Sequence, residues 1–306
     1  MTRTVWAVVT TFEPDGTLAE AIASVRGQVD ALVLVDDRST RAASIGVLAR
    51  IEEAGVKVIR MGTNSGIAAA LNRGISAALD AGADVVLTFD QDSRIADGYV
   101  SALLAAEAAA RAEGLRVGPV VPERFAAVSQ VRGRTRGGTL LAHHVIQSGM
   151  LLGRDTVRAV GGMLEPLFID LVDTEYELRC VDLGFTIVAA PGASLGHNLG
   201  RRYRRRGALP FPVLTLSTPF RYYYRARNRV IIDRRYRRRH GARILRDWAL
   251  DTVHFALAWS LARPRRAMCR LLREGTRAGR RGQGGRIPDE LRELAATITW
   301  AATPIG

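Results

Sequence analysis

The sequence predicts an α/β fold: a mostly parallel sheet flanked by helices, followed by a basic, mostly helical C-terminal extension. Three observations carry this. Apolar runs of strand length alternate with amphipathic segments of helix length through the first half, the pattern of βαβ units. Polar and acidic residues stand directly after those runs, where open α/β sheets bind ligands. Charge also divides the chain. Between Gly200 and Arg286, 25 arginines stand against four acidic residues, a balance of +21, whereas the remainder carries 19 basic and 26 acidic groups, or −7.

The elements follow in order. Val5–Thr10 is an apolar strand, Leu18–Arg26 has helical periodicity and Ala31–Val35 is a second strand. A helix around Ser44–Ala54, a short strand at Val56–Met61 and an alanine-rich helix at Gly66–Ala81 come next. Asp84–Phe89, rich in β-branched residues, reads as a strand buried on both faces. Tyr99–Ala112 is a helix, and the stretches 117–121, 140–145 and 150–152 read as short strands. Residues 168–179 form an acidic turn entering a helix, and 185–189 a strand ending near Gly196-His197. Gly275–Gly285, rich in Gly and Arg, reads as a flexible linker before a short helix at Pro288–Ala296. These elements suggest a first domain over 1–205, with halves at about 1–115 and 116–205, and a basic region over 206–306.

A chain of 306 residues with 47% hydrophobic content can bury one substantial core and a smaller appendage. Lys57 is the only lysine, so arginine supplies nearly all the positive charge. Cys180 and Cys269 match no CxxC spacing, which points to free thiols in a reducing compartment. Residues 1–25 lack the apolar core of a signal peptide. The most membrane-like stretch, Trp248–Ala262, is broken by Asp251 and His254. The expected location is the cytoplasm, peripheral to the inner face of the cell membrane.

The chemistry concentrates at Asp90-Gln91-Asp92, at the C-terminal end of the Asp84–Phe89 run. Two carboxylates one residue apart on an extended chain can share a hard cation that bridges a diphosphate. The same residues can instead cap the following helix, with Asp92 or Ser93 as N-cap. Asp36 and Asp37 end the second strand. Asn64-Ser65-Gly66 opens the alanine-rich helix, either facing an anion with its N–H groups or serving as a plain cap and turn. Neither a Gly-x-Gly-x-x-Gly nor a Gly-Lys-Ser/Thr loop is present, which disfavours ordinary dinucleotide and P-loop sites.

The ordered segments Val9-Thr10-Thr11-Phe12-Glu13-Pro14-Asp15, Leu34-Val35-Asp36-Asp37-Arg38-Ser39 and Asn64–Gly74 resemble those of family 2 glycosyltransferases with the GT-A fold. So do Leu87–Ser93, Ser148-Gly149, Gly161-Gly162, Leu167–Glu175 and Leu195–Gly200. The bacterial L-rhamnosyltransferases are the most similar group. The resemblance is strong over the first two thirds of the chain and continues into Tyr222–Asn228. It implies an inverting, metal-dependent transfer of a sugar from a nucleotide donor, dTDP-rhamnose being favoured over UDP-galactofuranose, UDP-glucose or UDP-N-acetylglucosamine. It also implies a cell-envelope glycan acceptor, commonly linked to polyprenyl diphosphate. Thr10 and Phe12 would line the nucleobase pocket with Asp36 bonding the base, and Asn64 and Asn72 would join the donor site. Asp90 would contact the ribose or the metal's water shell, Asp92 the Mg²⁺ or Mn²⁺ ion directly, and His197 would complete the metal site. Asp173 would be the general base, with Asp170 and Glu175 orienting neighbours or the acceptor. Where the family has Tyr-Asn, this chain has Phe12-Glu13, which leaves the role of Glu13 open.

The basic region admits three readings: nucleic-acid binding through phosphates, an anionic membrane surface, or a solvated arginine-rich face. Leu245, Trp248, Phe255 and Trp259 recur at helical spacing near Arg243 and Arg246, which suits an interfacial amphipathic helix, or a stripe packed on the catalytic domain. Arg225 and Arg227 are candidates for the acceptor diphosphate. A nucleic-acid-binding function would need base-stacking groups, and Tyr222-Tyr223-Tyr224 is the one candidate. It leaves the strand-end carboxylates unexplained, so no nucleic-acid partner is expected.

Overall fold

The computed structural model describes residues 3–126, 128–196, 201–204 and 213–305. The chain divides into two compact units, Met1–Glu165 with Val172–His197 and Pro166–Leu171 with Asn198–Gly306.

The first unit follows the alternation in the sequence. Strands β1 (Val5–Thr11), β2 (Ala31–Asp36), β3 (Lys57–Arg60) and β4 (Val85–Asp90) are separated by helices α1 (Thr17–Arg26), α2 (Ala42–Glu53) and α3 (Ile67–Asp80). Consecutive residues of β1 and β4 are buried, so both faces of these strands are covered, as their unbroken apolar runs require. The order β3-β2-β1-β4 is parallel throughout. The chain continues through β5 (Arg94–Ile95), α4 (Tyr99–Ala112), β6 (Val117–Phe125), β7 (Val128–Ser129), β8 (Val131–Arg134) and β9 (Leu140–Ala142). It ends with β10 (Met150–Gly153), α5 (Arg154–Val160), α6 (Val172–Asp182) and β11 (Thr186–Gly196).

Strand β10 inserts antiparallel between β4 and β6, and β6 pairs in parallel with β11. Strands β9 and β8 extend the sheet beyond β11 as antiparallel additions. The expected strand at 185–189 is therefore eleven residues long. Its register against β6 shifts between Ala190 and Ser194, where Pro191-Gly192 interrupts the apolar run and hides the continuation.

The second unit contains β12 (Arg201–Arg204), β13 (Val213–Leu216), α7 (Phe220–Leu261), β14 (Ala262–Arg263), α8 (Arg265–Arg280), α9 (Asp289–Ala296), β15 (Thr299–Trp300) and β16 (Thr303–Ile305). Helix α7 is two helical stretches that meet at His240, whose backbone leaves the helical range at φ −122°, ψ 34°. The second stretch runs back along the first. Arg225 meets Asp251 at 2.6 Å, Arg229 meets Asp251 at 2.6 Å and Asp247 at 3.4 Å, and the Tyr222 ring stacks on His254. Burial, and then the neighbouring Arg225, hold the His254 pKa below its ordinary value. The neutral ring can then accept from the Tyr222 hydroxyl at 3.3 Å. Tyr222, Tyr223 and Tyr224 are all buried, so they pack the core of this unit rather than presenting rings to bases.

The linker expected over Gly275–Gly285 is corrected by α8, which continues to Arg280. A Cβ on Gly275 would stand 2.4 Å from the Tyr223 carbonyl oxygen, and one on Gly279 2.5 Å from that of Arg227. These glycines let two helix backbones lie against each other, so a composition that resembles a flexible segment here marks close packing.

Arg227 also departs from expectation. Named from the sequence as a candidate for the acceptor diphosphate, it is fully buried, with its guanidinium donating to the carbonyls of Pro166, Leu167 and Gly285. Asn228 Nδ2 lies 2.7–2.9 Å from the carbonyls of Leu167, Ile169 and Asp170. These bonds hold a strained segment in which Phe168, Asp170 and Leu171 all have φ above 60°. Each such residue costs of order 1 kcal/mol or more. Among the described residues, no helix is long and apolar enough to cross a membrane.

Candidate active site

Strand β1 lies between β2 and β4, so the chain switches sides there, and the crevice beyond the C-terminal strand ends is the natural ligand site. The register places Thr10 beside Asp90 and Thr11 beside Asp36. One edge of the sheet thus brings together Thr10, Phe12, Asp36, Asp37 and Asp90, with Asp92 two residues beyond. Gln91, the middle residue of the acidic motif, ties the edge together. Its Oε1 accepts from Thr11 Oγ1 at 2.7 Å and from Phe12 N at 2.9 Å. The Phe12 ring is 48% exposed, an apolar surface at the mouth of the crevice.

Two helices that open onto this edge are closed by the chain's own carboxylates. Glu13 accepts from the backbone N–H groups of Thr40 and Arg41 at the start of α2, which, against a burial penalty, holds its carboxyl below the usual range. This gives Glu13 the role the sequence left open. Asp37 accepts from Ser65 N at 2.7 Å and Gly66 N at 2.8 Å, in the turn entering α3. Burial pushes its pKa up against those bonds, helped by the adjacent Asp36. The anion expected at that turn is therefore Asp37, and Asn64 sits half-buried beside it. Asp36 is buried and accepts from Ser39 N and Oγ.

The antiparallel register of β10 against β4 delivers the residues before Met150 to the end of β4. Here the structure adds a residue that sequence reasoning missed. Gln147 Nε2 donates to Asp90 Oδ1 at 2.6 Å, Ser148 Oγ accepts from Asp90 N at 3.0 Å, and Thr88 Oγ1 donates to the Gln147 carbonyl at 2.5 Å. Among the described residues, the buried Gln147 Oε1 finds no hydrogen-bond partner. The one signal in the sequence was its place before Ser148-Gly149.

The acidic turn separates into distinct roles. Glu175 is fully buried and pairs with Arg179 at 2.9 Å, which in turn donates to the carbonyls of Val160 and Gly162. Glu177, also buried, meets His143 Nδ1 at 2.9 Å and accepts from Val145 N, tying α6 to the loop that leads to Gln147. Asp173, in the first turn of α6, is half-buried and accepts from Thr174 N at 2.7 Å. Of these three carboxylates it is the one that keeps solvent contact. In the other unit, Asp170 accepts from Arg221 at 2.6 Å.

Asn72 engages both ends of its amide with the chain, donating to Met163 O and Glu165 Oε1 and accepting from Met163 N at 2.6 Å. Arg225 is held by Asp251. His197 lies outside the described residues. Among the described residues, no group of three or more His, Cys, Asp or Glu side chains could hold a metal ion.

The family model described as "Glycosyl transferase family 2" matches residues 6–123, the part of the chain that forms β1 to β6. The chain is 31% identical over 249 residues to the dTDP-rhamnosyl transferase RfbF of Shigella flexneri, covering 77% of this chain and 81% of that one. Among solved structures it resembles GalNAc-T7 with UDP, GalNAc and Mn²⁺, with a TM-score of 0.51 and 16% identity, over 64% of this chain and 44% of that one. It therefore spans less than half of that protein, and the likeness speaks for the fold. A mannosyltransferase from Pyrobaculum calidifontis in complex with GDP-Man and Mn²⁺ has a TM-score of 0.49 and 15% identity, over 75% of this chain and 63% of that one. With identity to the rhamnosyl transferase running through both units, the chain belongs to glycosyltransferase family 2 and is a rhamnosyltransferase-like glycosyltransferase.

Proposed function

We propose that the enzyme transfers L-rhamnose from dTDP-rhamnose to a lipid-linked or polysaccharide acceptor of the cell envelope, with inversion and with one divalent cation. The observation that carries the donor is the 31% identity to a dTDP-rhamnosyl transferase across 81% of its length.

The residues at the β4 edge fit a hard cation. Asp90 and Asp92 offer oxygen donors, and an ion of this type takes one or two carboxylates and completes its shell with phosphate oxygens and water. Gln147 holds one Asp90 oxygen while its own Oε1 is left buried and orphaned. An orphaned acceptor costs about 1–3 kcal/mol. Such a cost is tolerated where the side chain aims a functional neighbour. A bound Mg²⁺ or Mn²⁺ would neutralise the charge that gathers on the departing diphosphate. Thr10, Phe12 and Asp36 form the floor for the nucleobase. Asn72 positions Met163 and Glu165 rather than offering its amide to the donor. Asp173 takes the proton of the acceptor hydroxyl as that oxygen attacks the anomeric carbon from the face opposite the leaving group. One base and one displacement give inversion. We assign the reaction to the cytoplasmic face of the cell membrane, where a lipid-linked acceptor would be met.

The test is a donor panel with purified protein and Mg²⁺ or Mn²⁺: dTDP-rhamnose, UDP-galactofuranose, UDP-glucose and UDP-N-acetylglucosamine. Metal-dependent turnover selective for dTDP-rhamnose is expected, with Asp92→Ala weakening donor binding by at least about tenfold. Selective turnover of a UDP-sugar discards rhamnose, and metal-independent turnover discards the cation.

Gln147→Glu sets a second carboxylate against Asp90 Oδ1. The added negative charge repels Asp90 in the metal-free protein and attracts a divalent cation, so the melting temperature without metal is expected to fall and Mn²⁺ affinity, read by electron paramagnetic resonance, to rise by about tenfold or more. An unchanged affinity would remove Gln147 from the site.

A further inference from the structure

We propose that the outward face of the second stretch of α7 is a docking surface for an anionic lipid bilayer. Five large apolar side chains in 15 consecutive positions of this stretch stand in solvent: Leu245 (72% exposed), Trp248 (48%), Leu250 (57%), Val253 (57%) and Trp259 (39%). They make up half of the exposed large hydrophobic residues among the described ones. Leu245, Trp248, Thr252, Ala256 and Trp259 follow the 3-4-4-3 spacing of a single helical stripe.

The orientation of that stripe is fixed from behind. Ile244, Asp247, Asp251, Ala258 and Leu261 are buried on the opposite side, where Arg229 binds both aspartates and Arg225 binds Asp251. The apolar face therefore cannot roll inward without breaking a buried ionic network. Leu245, Trp248 and Trp259 share this stripe with Thr252 and Ala256, Leu250 and Val253 lie off it, and a cluster of exposed large apolar side chains marks an interaction site.

Charge names the occupant. Arg237 and Arg238 stand exposed at one end of the stretch, Arg246 beside it, and Arg263, Arg265 and Arg266 just past the other end. The Arg265 guanidinium lies over the Trp259 ring, 5.2 Å from its centroid. Trp and Leu set between arginines match the depth profile of an anionic headgroup layer, with indoles at the interface and guanidinium groups on phosphate. A second copy of the chain fits worse, since a two-fold pairing through this face would bring the arginine rims together. Crossing the bilayer is also disfavoured, because the same helix carries Asp247 and Asp251. The proposal gives the enzyme a surface from which to reach a lipid-borne acceptor, and it holds whichever donor is used.

The experiment is flotation of the full-length protein with vesicles of phosphatidylcholine alone or with phosphatidylglycerol, alongside tryptophan fluorescence and quenching by acrylamide. Wild type is expected to float with the anionic vesicles, with a blue-shifted, protected emission, and to be released by high salt. Trp248→Ser with Trp259→Ser, and separately Arg246→Glu with Arg266→Glu, are each expected to lower partitioning by more than about tenfold. All four side chains are exposed, so the melting temperature should hold, and dTDP-rhamnose binding in solution reports separately on the donor site. The proposal is overturned by flotation that neither double variant changes, by equal binding to neutral vesicles, or by no binding at low salt. A dimer that the tryptophan variant dissociates, without vesicle binding, would assign the face to a second copy instead.

Discussion

Asp173→Asn is expected to lower turnover by about 10²–10⁴-fold while leaving the donor dissociation constant and the melting temperature close to wild type. The change removes a proton acceptor and keeps the shape. The neighbouring carboxylates cannot substitute, for reasons visible in their partners. Glu175 is fully buried against Arg179, whose other N–H groups hold the Val160 and Gly162 carbonyls. Glu177 is closed in by His143 and Val145 N. Glu175→Gln should therefore act on stability more than on the chemical step, with turnover falling far less per folded molecule. Single-turnover kinetics beside isothermal titration with donor separates the two. If Asp173→Asn keeps turnover within a few fold of wild type, or loses donor binding in parallel, the base lies elsewhere.

Much of the site edge was legible because it rests on local signals. An apolar run followed by Asp-x-Asp states both a strand and what stands at its end, and the register of β1 with β2 and β4 then follows from the alternation. Gln147 was not legible in the same way. Its contact with Asp90 spans 57 positions and depends on β10 entering the sheet antiparallel, which no local pattern announces. Arg227 and the Gly275–Gly285 stretch misled for a related reason. An arginine beside a Tyr-rich run, and a glycine-rich segment among arginines, have surface compositions, yet each serves long-range packing. The arginine closes the carbonyls of residues 166, 167 and 285, and the glycines admit a helix backbone. Glu13 is the opposite case. It breaks the expected Tyr-Asn pattern, and its side chain caps α2 across 27 residues, a role no neighbouring residue in the sequence suggests.

Asp251→Ala is expected to destabilise the second unit by about 3 kcal/mol, the lower end of the range for breaking a buried ion pair. Asp251 takes Arg225 on one oxygen and Arg229 on the other, each at 2.6 Å. Arg229 is almost wholly buried, and without Asp251 it keeps, among the described residues, only Asp247 at 3.4 Å as an acidic partner. Most of the loss is therefore the cost of a guanidinium stranded in a dry interior. Arg225 is over a third exposed, so water recovers part of its share, which places the figure low in the range. The logic implies a rescue. Arg229→Met in the same chain removes the stranded charge and fills similar volume, and the double variant should regain most of what Asp251→Ala loses. Urea melts of the four proteins give the coupling directly. A double variant no more stable than Asp251→Ala would show that the aspartate acts through packing or through His254 rather than through the pair. Since the same network fixes which side of α7 faces outward, Asp251→Ala should also weaken binding to anionic vesicles, although Asp251 lies on the buried side.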